Sequence, residues 1–182
     1  MTIKTQNETL TPEEAFTWLT KVMPGCRNDD LEKIIATDAK WAYHYAYDAL
    51  KGRFEFGEPI IATDARYAYE YVFKVLRCRF ELGEPKIAKV CHYAFYYALN
   101  FIKGRWELGE PTLAQDSQYA CKYARELIQG RFELGEPAIA KSSYYSYVYA
   151  REVLKGRFEL GEPIIAKSRD WCREYQKLFN IK

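Results

Sequence analysis

The sequence predicts an all-α protein, an α-solenoid of about six 26-residue helical repeats with polar end caps. The run Arg53 to Pro59, which reads Arg-Phe-Glu-Phe-Gly-Glu-Pro, returns four more times at intervals of 26 residues. A fixed period of this size is typical of stacked repeats, each of which buries its apolar face only against its neighbours. In the last copy, Gln176 and Asn180 stand where nearly all the other copies have apolar residues. A polar final repeat is expected at the exposed end of a stack.

The chain divides into three parts by its relation to the repeat. Residues 1–33 form an N-terminal capping region with one degenerate repeat, residues 34–163 hold five tandem repeats, and residues 164–182 form a truncated C-terminal capping repeat. In the first part, Thr11-Pro12-Glu13-Glu14 predicts a helix start, with Thr11 as the N-cap and Glu14 at the capping-box position. We expect a second, short helix over residues 29–36.

The first half of each repeat predicts a helix, and we number its positions from residues 34, 60, 86, 112, 138 and 164. The fifth position is an N-cap residue type in five of the six copies: Asp38, Asp64, Val90, Asp116, Ser142 and Ser168. The eighth position is always aromatic, and the twelfth is tyrosine in every copy. Together with apolar positions 13, 16 and 17, this spacing marks one buried helix face. We expect the tyrosine rings to be buried and their hydroxyls to reach a polar partner.

The second half of the repeat leaves two structures open. Either a short second helix follows the first and forms a hairpin, or one longer helix breaks at Gly57; we favour the hairpin because Phe54 and Leu82 need a second packing face. Gly57 and its counterparts predict a turn with strained backbone. Gly52 is interpreted as a close-packing site, because the second copy has Cys78 there and cysteine resists a positive φ.

An arginine recurs in every full copy and predicts a charged ladder along the stack. The residues are Arg53, Arg79, Arg105, Arg131 and Arg157. Glu55, Glu58 and their counterparts would be the interleaved partners, and the ladder would fix the turn and the stacking register. A guanidinium groove for an anionic ligand is the alternative, but two glutamates for each arginine argue against a net positive potential.

Residues that carry metal or catalytic chemistry do not cluster in this sequence. The two histidines, His44 and His92, fall at different repeat positions and are interpreted as surface residues. Cys78 and Cys91 have no second pair at a zinc-finger spacing, and a phosphate-binding glycine loop is absent. We therefore expect no enzyme activity, no metal and no cofactor.

The variable positions 10, 11, 14 and 15 predict the surface that a partner contacts, because the copies differ there. The candidate partner-binding residues are Tyr43, Tyr47, Lys122, Arg125, Tyr147 and Arg151. Extended faces of this kind are how solenoids bind other proteins. The predicted function is a non-enzymatic scaffold that binds another protein; the alternative is a nucleic-acid-binding solenoid that uses the basic C-terminal half.

The composition fits a cytoplasmic protein without membrane contact. Hydrophobic residues make up 48% of the chain and charged residues 29%, which disfavours both a disordered and a membrane-spanning protein. Met1 to Asn7 lacks the apolar stretch of a secretory signal. The five cysteines are odd in number and do not recur with the repeat, as expected for a reducing compartment.

The two ends of the chain differ in charge, with an acidic N-terminal segment and a basic C-terminal one. Unlike ends could attract head to tail, but Gln176 and Asn180 remove the apolar driving force, and exposed charges are screened beyond about 8 Å at physiological salt. We therefore predict a monomer at physiological salt, with weak chains only at low ionic strength. Sedimentation across a salt series measures this, and a dimer that persists at high salt would contradict it.

The run Gly-Arg-Phe/Trp-Glu-Leu-Gly-Glu-Pro, with the tyrosine and alanine pattern before it, resembles a short helical-hairpin repeat of uncharacterised bacteriophage and bacterial proteins. The resemblance covers roughly residues 34–182. It departs from the family at Glu55 and its counterparts, where such relatives often have a proline. The resemblance implies an all-helical repeat fold and a viral source, with an inhibitor or decoy of a host protein in the host cytoplasm as the implied role. It implies no catalytic residue.

Overall fold

The computed structural model describes residues 10–181. By the density of their contacts the residues fall into two compact units, Met1–Lys86 and Ile87–Lys182. The expectation that Met1 to Asn7 carries no secretory signal lies outside the described residues. Every regular element within residues 10–181 is helical, and successive repeats of each unit pack side by side. The predicted fold class, an all-α solenoid built from this repeat, is confirmed.

Each full repeat contains one long helix and one short one. The long helix has an α-helical part and then a π-helical part: Ala39–His44 with Tyr45–Leu50, Ala65–Tyr71 with Val72–Leu76, Cys91–Tyr97 with Ala98–Ile102, Ser117–Tyr123 with Ala124–Ile128, and Ser143–Val148 with Tyr149–Leu154. The short α-helices are Glu58–Ile61, Glu84–Ile87, Glu110–Leu113, Glu136–Ile139 and Glu162–Ile165, and a 3-10 turn precedes three of them at Glu55–Gly57, Glu133–Gly135 and Glu159–Gly161. The favoured helical hairpin is therefore the structure of the repeat.

The first and last elements of the described residues depart from this pattern. The N-terminal region holds Pro12–Thr17, continued by the π-helical Trp18–Val22, and Asp29–Ile35. The predicted capping box is present, with the Glu14 amide donating to the Thr11 hydroxyl and the Thr11 amide donating to the Glu14 carboxylate. The final helix, Arg169–Phe179, is α-helical throughout. Gln176 and Asn180 are exposed, as predicted for a polar end.

The long helices begin at the residues that the sequence predicts. Asp38 and Ser142 accept the backbone N–H of the residue three positions later, at 3.0 and 3.4 Å. Asp64 and Asp116 each accept two backbone N–H groups. Val90 has no side-chain acceptor, yet its helix starts at the same place. One missing cap, typically a loss of about 1 kcal/mol, is tolerated because packing fixes the helix.

The end of the long helix corrects the interpretation of the first glycine. The left-handed residue is the one before it: Lys51, Arg77, Lys103, Gln129 and Lys155 have φ of 50 to 59°. The π-helical turn ends at this left-handed residue. In the third copy the Lys103 N–H donates to the Ala98 carbonyl at 2.7 Å. A Cβ on Gly104 would meet no atom within 4 Å. This glycine is neither a close-packing site nor helical, and Cys78 fits its place because no positive φ is required there.

The left-handed lysine gives a first stability prediction. Lys103→Gly is expected to raise the free energy of unfolding by about 0.5–1 kcal/mol, because only glycine adopts a positive φ without a steric cost. Urea unfolding of the variant and the wild type measures the change. Lys141→Gly, at an exposed turn residue without a positive φ, is the control and is expected to lower stability. An equal effect of both changes would contradict the account.

The second glycine lies beneath the aromatic ring of its own repeat. Gly109 has φ −87° and ψ −21°, so the predicted strained backbone is wrong. A Cβ there would lie 2.5 Å from Cε3 of Trp106, and the phenylalanines of the other copies cover their glycines in the same way. The glycine is needed because the ring approaches the backbone closely.

The core of each unit is formed by the buried face of the long helices and by the residues of the turn and short helix that pack against it. In the first unit Tyr45, Phe54, Ile61 and Tyr71 are essentially inaccessible to solvent. Their second-unit counterparts are buried as well: Trp106, Leu113, Tyr123, Phe132, Ile139, Tyr149, Phe158, Ile165 and Tyr175. Leu82 was expected to pack against a second face, but it is 55% exposed. The buried ring of Phe80 takes the packing position instead, with its centroid 5.5 Å from that of Tyr71.

Candidate functional site

The recurring arginine forms a two-pronged ion pair within its own repeat. Nε and Nη2 of Arg53 donate to Oε1 and Oε2 of Glu58 at 2.6 and 2.9 Å. The same paired bonds join Arg79 to Glu84, Arg105 to Glu110, Arg131 to Glu136, and Arg157 to Glu162. Arg53 comes no closer than 4.0 Å to Glu55. Of the two glutamates proposed as partners, the second makes the hydrogen bonds.

The tyrosine at position 12 completes a network that spans two successive repeats. The Tyr71 hydroxyl donates to Glu58 Oε1 at 3.0 Å and accepts the backbone N–H of Phe54 at 2.9 Å. The same two bonds occur in three repeats of the second unit, between Tyr123, Glu110 and Trp106, between Tyr149, Glu136 and Phe132, and between Tyr175, Glu162 and Phe158. We call this arrangement the Arg–Glu–Tyr network. In these repeats it is one polar connection that holds the short helix to the next long helix.

The N-terminal region contains a further member of the network, which was not predicted from the sequence. Arg27 pairs with Glu32, and the Tyr45 hydroxyl donates to the same carboxylate at 2.8 Å. Arg27 and Glu32 stand 26 residues before Arg53 and Glu58. The 26-residue period could therefore have identified both residues, although the residues between them differ from those of the full copies. The degenerate first repeat keeps the polar connection and loses most of the surrounding pattern.

Burial strongly changes the acidity of the network tyrosines. It raises the pKa of Tyr123 to about 12. Burial is also the main cause that raises the pKa of Tyr45, Tyr71, Tyr149 and Tyr175. A neighbouring carboxylate adds to this effect because it disfavours a tyrosinate anion. The hydroxyls are therefore hydrogen-bond donors at neutral pH, which is what the network requires of them.

These shifts predict a loss of stability at alkaline pH. A folded-state pKa raised above the unfolded value of about 10 contributes stability that is complete below pH 10 and is lost as the pH rises towards 12. We expect the tyrosinate absorbance to rise in two stages, with the network tyrosines ionising only as the helices unfold. Parallel absorbance and circular dichroism titrations measure this. A single stage completed while the helicity is intact would contradict the prediction.

The variable face is only partly open to solvent, because two of its proposed binding residues are buried. Tyr43 and Tyr147 are 3% and 6% exposed. The Tyr43 ring centroid lies 5.8 Å from that of Tyr67, and the Tyr147 ring centroid lies 5.2 Å from that of Trp171. Position 10 therefore packs against the aromatic residue at position 8 of the next repeat. Position 10 is therefore an interface between copies and not a free surface.

The other four proposed residues lie on the accessible part of that face. Tyr47 is 41% exposed and packs below the ammonium of Lys74, 5.6 Å from the ring centroid. Arg125 and Arg151 are exposed, and Lys122 is half-buried. In the second unit, Arg125 donates to Glu126 at 2.7 Å and to Glu152 at 3.1 Å, and Arg151 also pairs with Glu152. The exposed basic groups of this face are largely neutralised by carboxylates.

A second exposed surface recurs on the turn side of the repeat. Phe56 and Leu82 in the first unit, and Leu108, Leu134 and Leu160 in the second, are each at least 50% exposed. In the first unit this surface borders an open cavity of about 540 Å³, lined by Arg27, Arg53, Phe54, Glu55 and Phe56. Its lining combines two guanidinium groups, one carboxylate and two aromatic rings. The sequence pattern gave no sign of this surface, because a leucine that recurs in every copy is typical of a core position.

The residues that carry metal or nucleophilic chemistry stay apart in the described part of the chain. Within residues 10–181, no group of three or more His, Cys, Asp or Glu side chains is placed to hold a metal ion. His44 bonds to Asp48 on its own helix. All five cysteines are free thiols, and burial raises the pKa of Cys91 to about 12 and of Cys121 to about 11. These two thiols are protonated at neutral pH and therefore poor nucleophiles.

Comparisons of the chain with family models, with curated proteins and with solved structures give no match. The resemblance to a bacteriophage and bacterial repeat therefore stays a prediction. None of the helices among the described residues has the length and apolar character to cross a membrane.

Proposed function

We propose that this protein is a non-enzymatic repeat scaffold that binds another protein through the exposed part of its variable helix face. One observation carries the proposal. Tyr47 and Phe73 occupy the same position of successive repeats, and each is 41% exposed. Lys74 lies over the first ring and Arg77 over the second. Exposed aromatic side chains bordered by charged groups are the usual centre of a protein interface.

Charge pairing favours a protein partner over nucleic acid. Binding to phosphates needs basic groups that are free to replace counterions. In the second unit, where the basic C-terminal half was the alternative binding surface, Arg105, Arg131 and Arg157 are held by carboxylates, and so are Arg125 and Arg151. The proposal includes a cytoplasmic location, host cytoplasm if the source is viral, a monomeric state, and the role of an inhibitor or decoy of a host protein.

The proposal is tested by affinity capture with the wild type, a Tyr47→Ala/Phe73→Ala variant, and Tyr144→Ala as a control. Tyr144 is 45% exposed but lies at repeat position 7, outside the variable face. We expect a specific protein to be retained by the wild type and the control, to be lost from the double variant, and to resist nuclease. Retention that disappears with nuclease and falls steeply with salt would favour the nucleic-acid alternative.

A further inference from the structure

The second unit carries three exposed leucines at one repeat position, which we call the leucine stripe. Leu108, Leu134 and Leu160 are 50%, 56% and 54% exposed. Each follows an exposed glutamate, Glu107, Glu133 or Glu159. The stripe lies on the turns between the long and short helices, apart from the variable face. Apolar side chains that are exposed together on one surface mark sites of interaction.

The chain keeps this stripe although internal packing does not require all of it. The buried positions of the repeat hold the same residue types because the Arg–Glu–Tyr network and the core need them. Position 11, which is also solvent-accessible in most copies, has diverged to Tyr96 and Lys122 in the second unit. The stripe positions are more than half exposed in two of three copies, yet the Glu-Leu pair is unchanged in all three. An external contact explains this uniformity.

The charges beside the stripe define the sign of its partner. The guanidinium groups of Arg105, Arg131 and Arg157 are each bound to the glutamate five residues later. Glu107, Glu133 and Glu159 make no ion pair within 4.0 Å among the residues that the structure describes. Two of the long helices end at a lysine four positions before the carboxylate: Lys103 before Glu107, and Lys155 before Glu159. The side chain next to each leucine is therefore an exposed carboxylate that lacks a close ion-pair partner among the described residues.

The repeat spacing defines the shape of the partner. The long helices of successive repeats pack against one another, and packed helices lie about 8–10 Å apart. Equivalent leucines are therefore separated by about the same distance. Seven residues of an α-helix rise about 10.5 Å, so a helix lying along the stripe would meet each leucine with every seventh side chain.

We propose that the leucine stripe binds an amphipathic basic helix, with apolar residues at seven-residue intervals and lysine or arginine beside them to pair with the exposed glutamates. Helices laid into apolar grooves are a common mode of peptide recognition. The inference rests on the proposed function as a protein-binding scaffold, but it assigns a different surface and a chemical class of partner.

A designed peptide tests the proposal with the full chain. The probe is a helical peptide with leucine at every seventh position and lysine beside each leucine; a second peptide has glutamate in place of lysine. Binding of each by fluorescence anisotropy is compared for the wild type, Leu134→Glu and Leu178→Glu. Leu178 is 43% exposed in the last helix of the same unit and is the matched control.

We expect the wild type and Leu178→Glu to bind the lysine peptide with equal affinity, and Leu134→Glu to bind it at least tenfold more weakly. The glutamate peptide is expected not to bind. Equal binding of the lysine peptide by all three proteins, or no binding by the wild type, would overturn the proposal. So would a wild type that self-associates through the stripe and becomes monomeric in Leu134→Glu. Tyr47 and Phe73 are unchanged throughout, so failure here leaves the capture experiment on the variable face independent.

Discussion

Tyr123→Ala is expected to lower the free energy of unfolding by about 3–5 kcal/mol, the cost of removing a large aromatic side chain from a core. The ring of Tyr123 is fully buried and lies edge-on to Phe132, with the centroids 5.2 Å apart. Its loss leaves a cavity between two successive repeats. It also leaves the Trp106 N–H and the Glu110 carboxylate without the hydroxyl that each contacts. Chemical denaturation of the variant and the wild type measures the change.

Two companion variants separate the ring from the hydroxyl. Tyr123→Phe keeps the packing and removes only the hydroxyl, so its expected cost is about 1–3 kcal/mol, the penalty for leaving buried polar partners unsatisfied. Tyr96→Ala, at a tyrosine that is 40% exposed, is expected to cost less than about 1 kcal/mol. A Tyr123→Ala cost as small as that of Tyr96→Ala would show that position 12 does not hold the repeats together.

Gly109→Ala is expected to lower the free energy of unfolding by about 1–3 kcal/mol or more, the usual range for overpacking. The added methyl would lie 2.5 and 2.9 Å from two ring carbons of Trp106. That ring is 6% exposed and is surrounded by its own repeat. It cannot move away as the tip of a flexible side chain would, so either the ring or the short helix beginning at Glu110 must shift. Thermal and chemical melts measure the loss.

Gly104→Ala is the matched control for this change, because it adds the same methyl to the same repeat. No atom lies within 4 Å of its Cβ position, and its φ is not positive. The change is therefore expected to be neutral, or to stabilise by up to about 1 kcal/mol by restricting the unfolded chain. Equal losses at the two glycines would contradict the steric explanation and would point to backbone conformation.

The sequence by itself determined the repeat, its helical class and the residues that begin each long helix. It also determined that the position-12 tyrosines are buried with a polar partner for the hydroxyl. These features depend on local chemistry or on strict recurrence. An aspartate or serine favours the start of the helix that follows it, and of these predicted caps only Ser168 makes no side-chain capping bond. A residue that recurs in every copy, with apolar neighbours at helical spacing, marks the buried face.

Only the tertiary structure decided which recurring and variable residues face solvent. Recurrence alone does not separate the buried Phe54 from the exposed Leu82, since both return every 26 residues. The variation among copies at position 10 predicted an exposed surface, but Tyr43 is buried by the neighbouring repeat. The choice of Glu58 over Glu55 as the partner of Arg53 likewise depends on how the turn directs each side chain. The left-handed Lys51 gave no signal because its strain of about 1–2 kcal/mol is small beside the packing that imposes it. Local preference is weak where contacts with the next repeat fix the conformation, and those contacts arise only when the repeats stack.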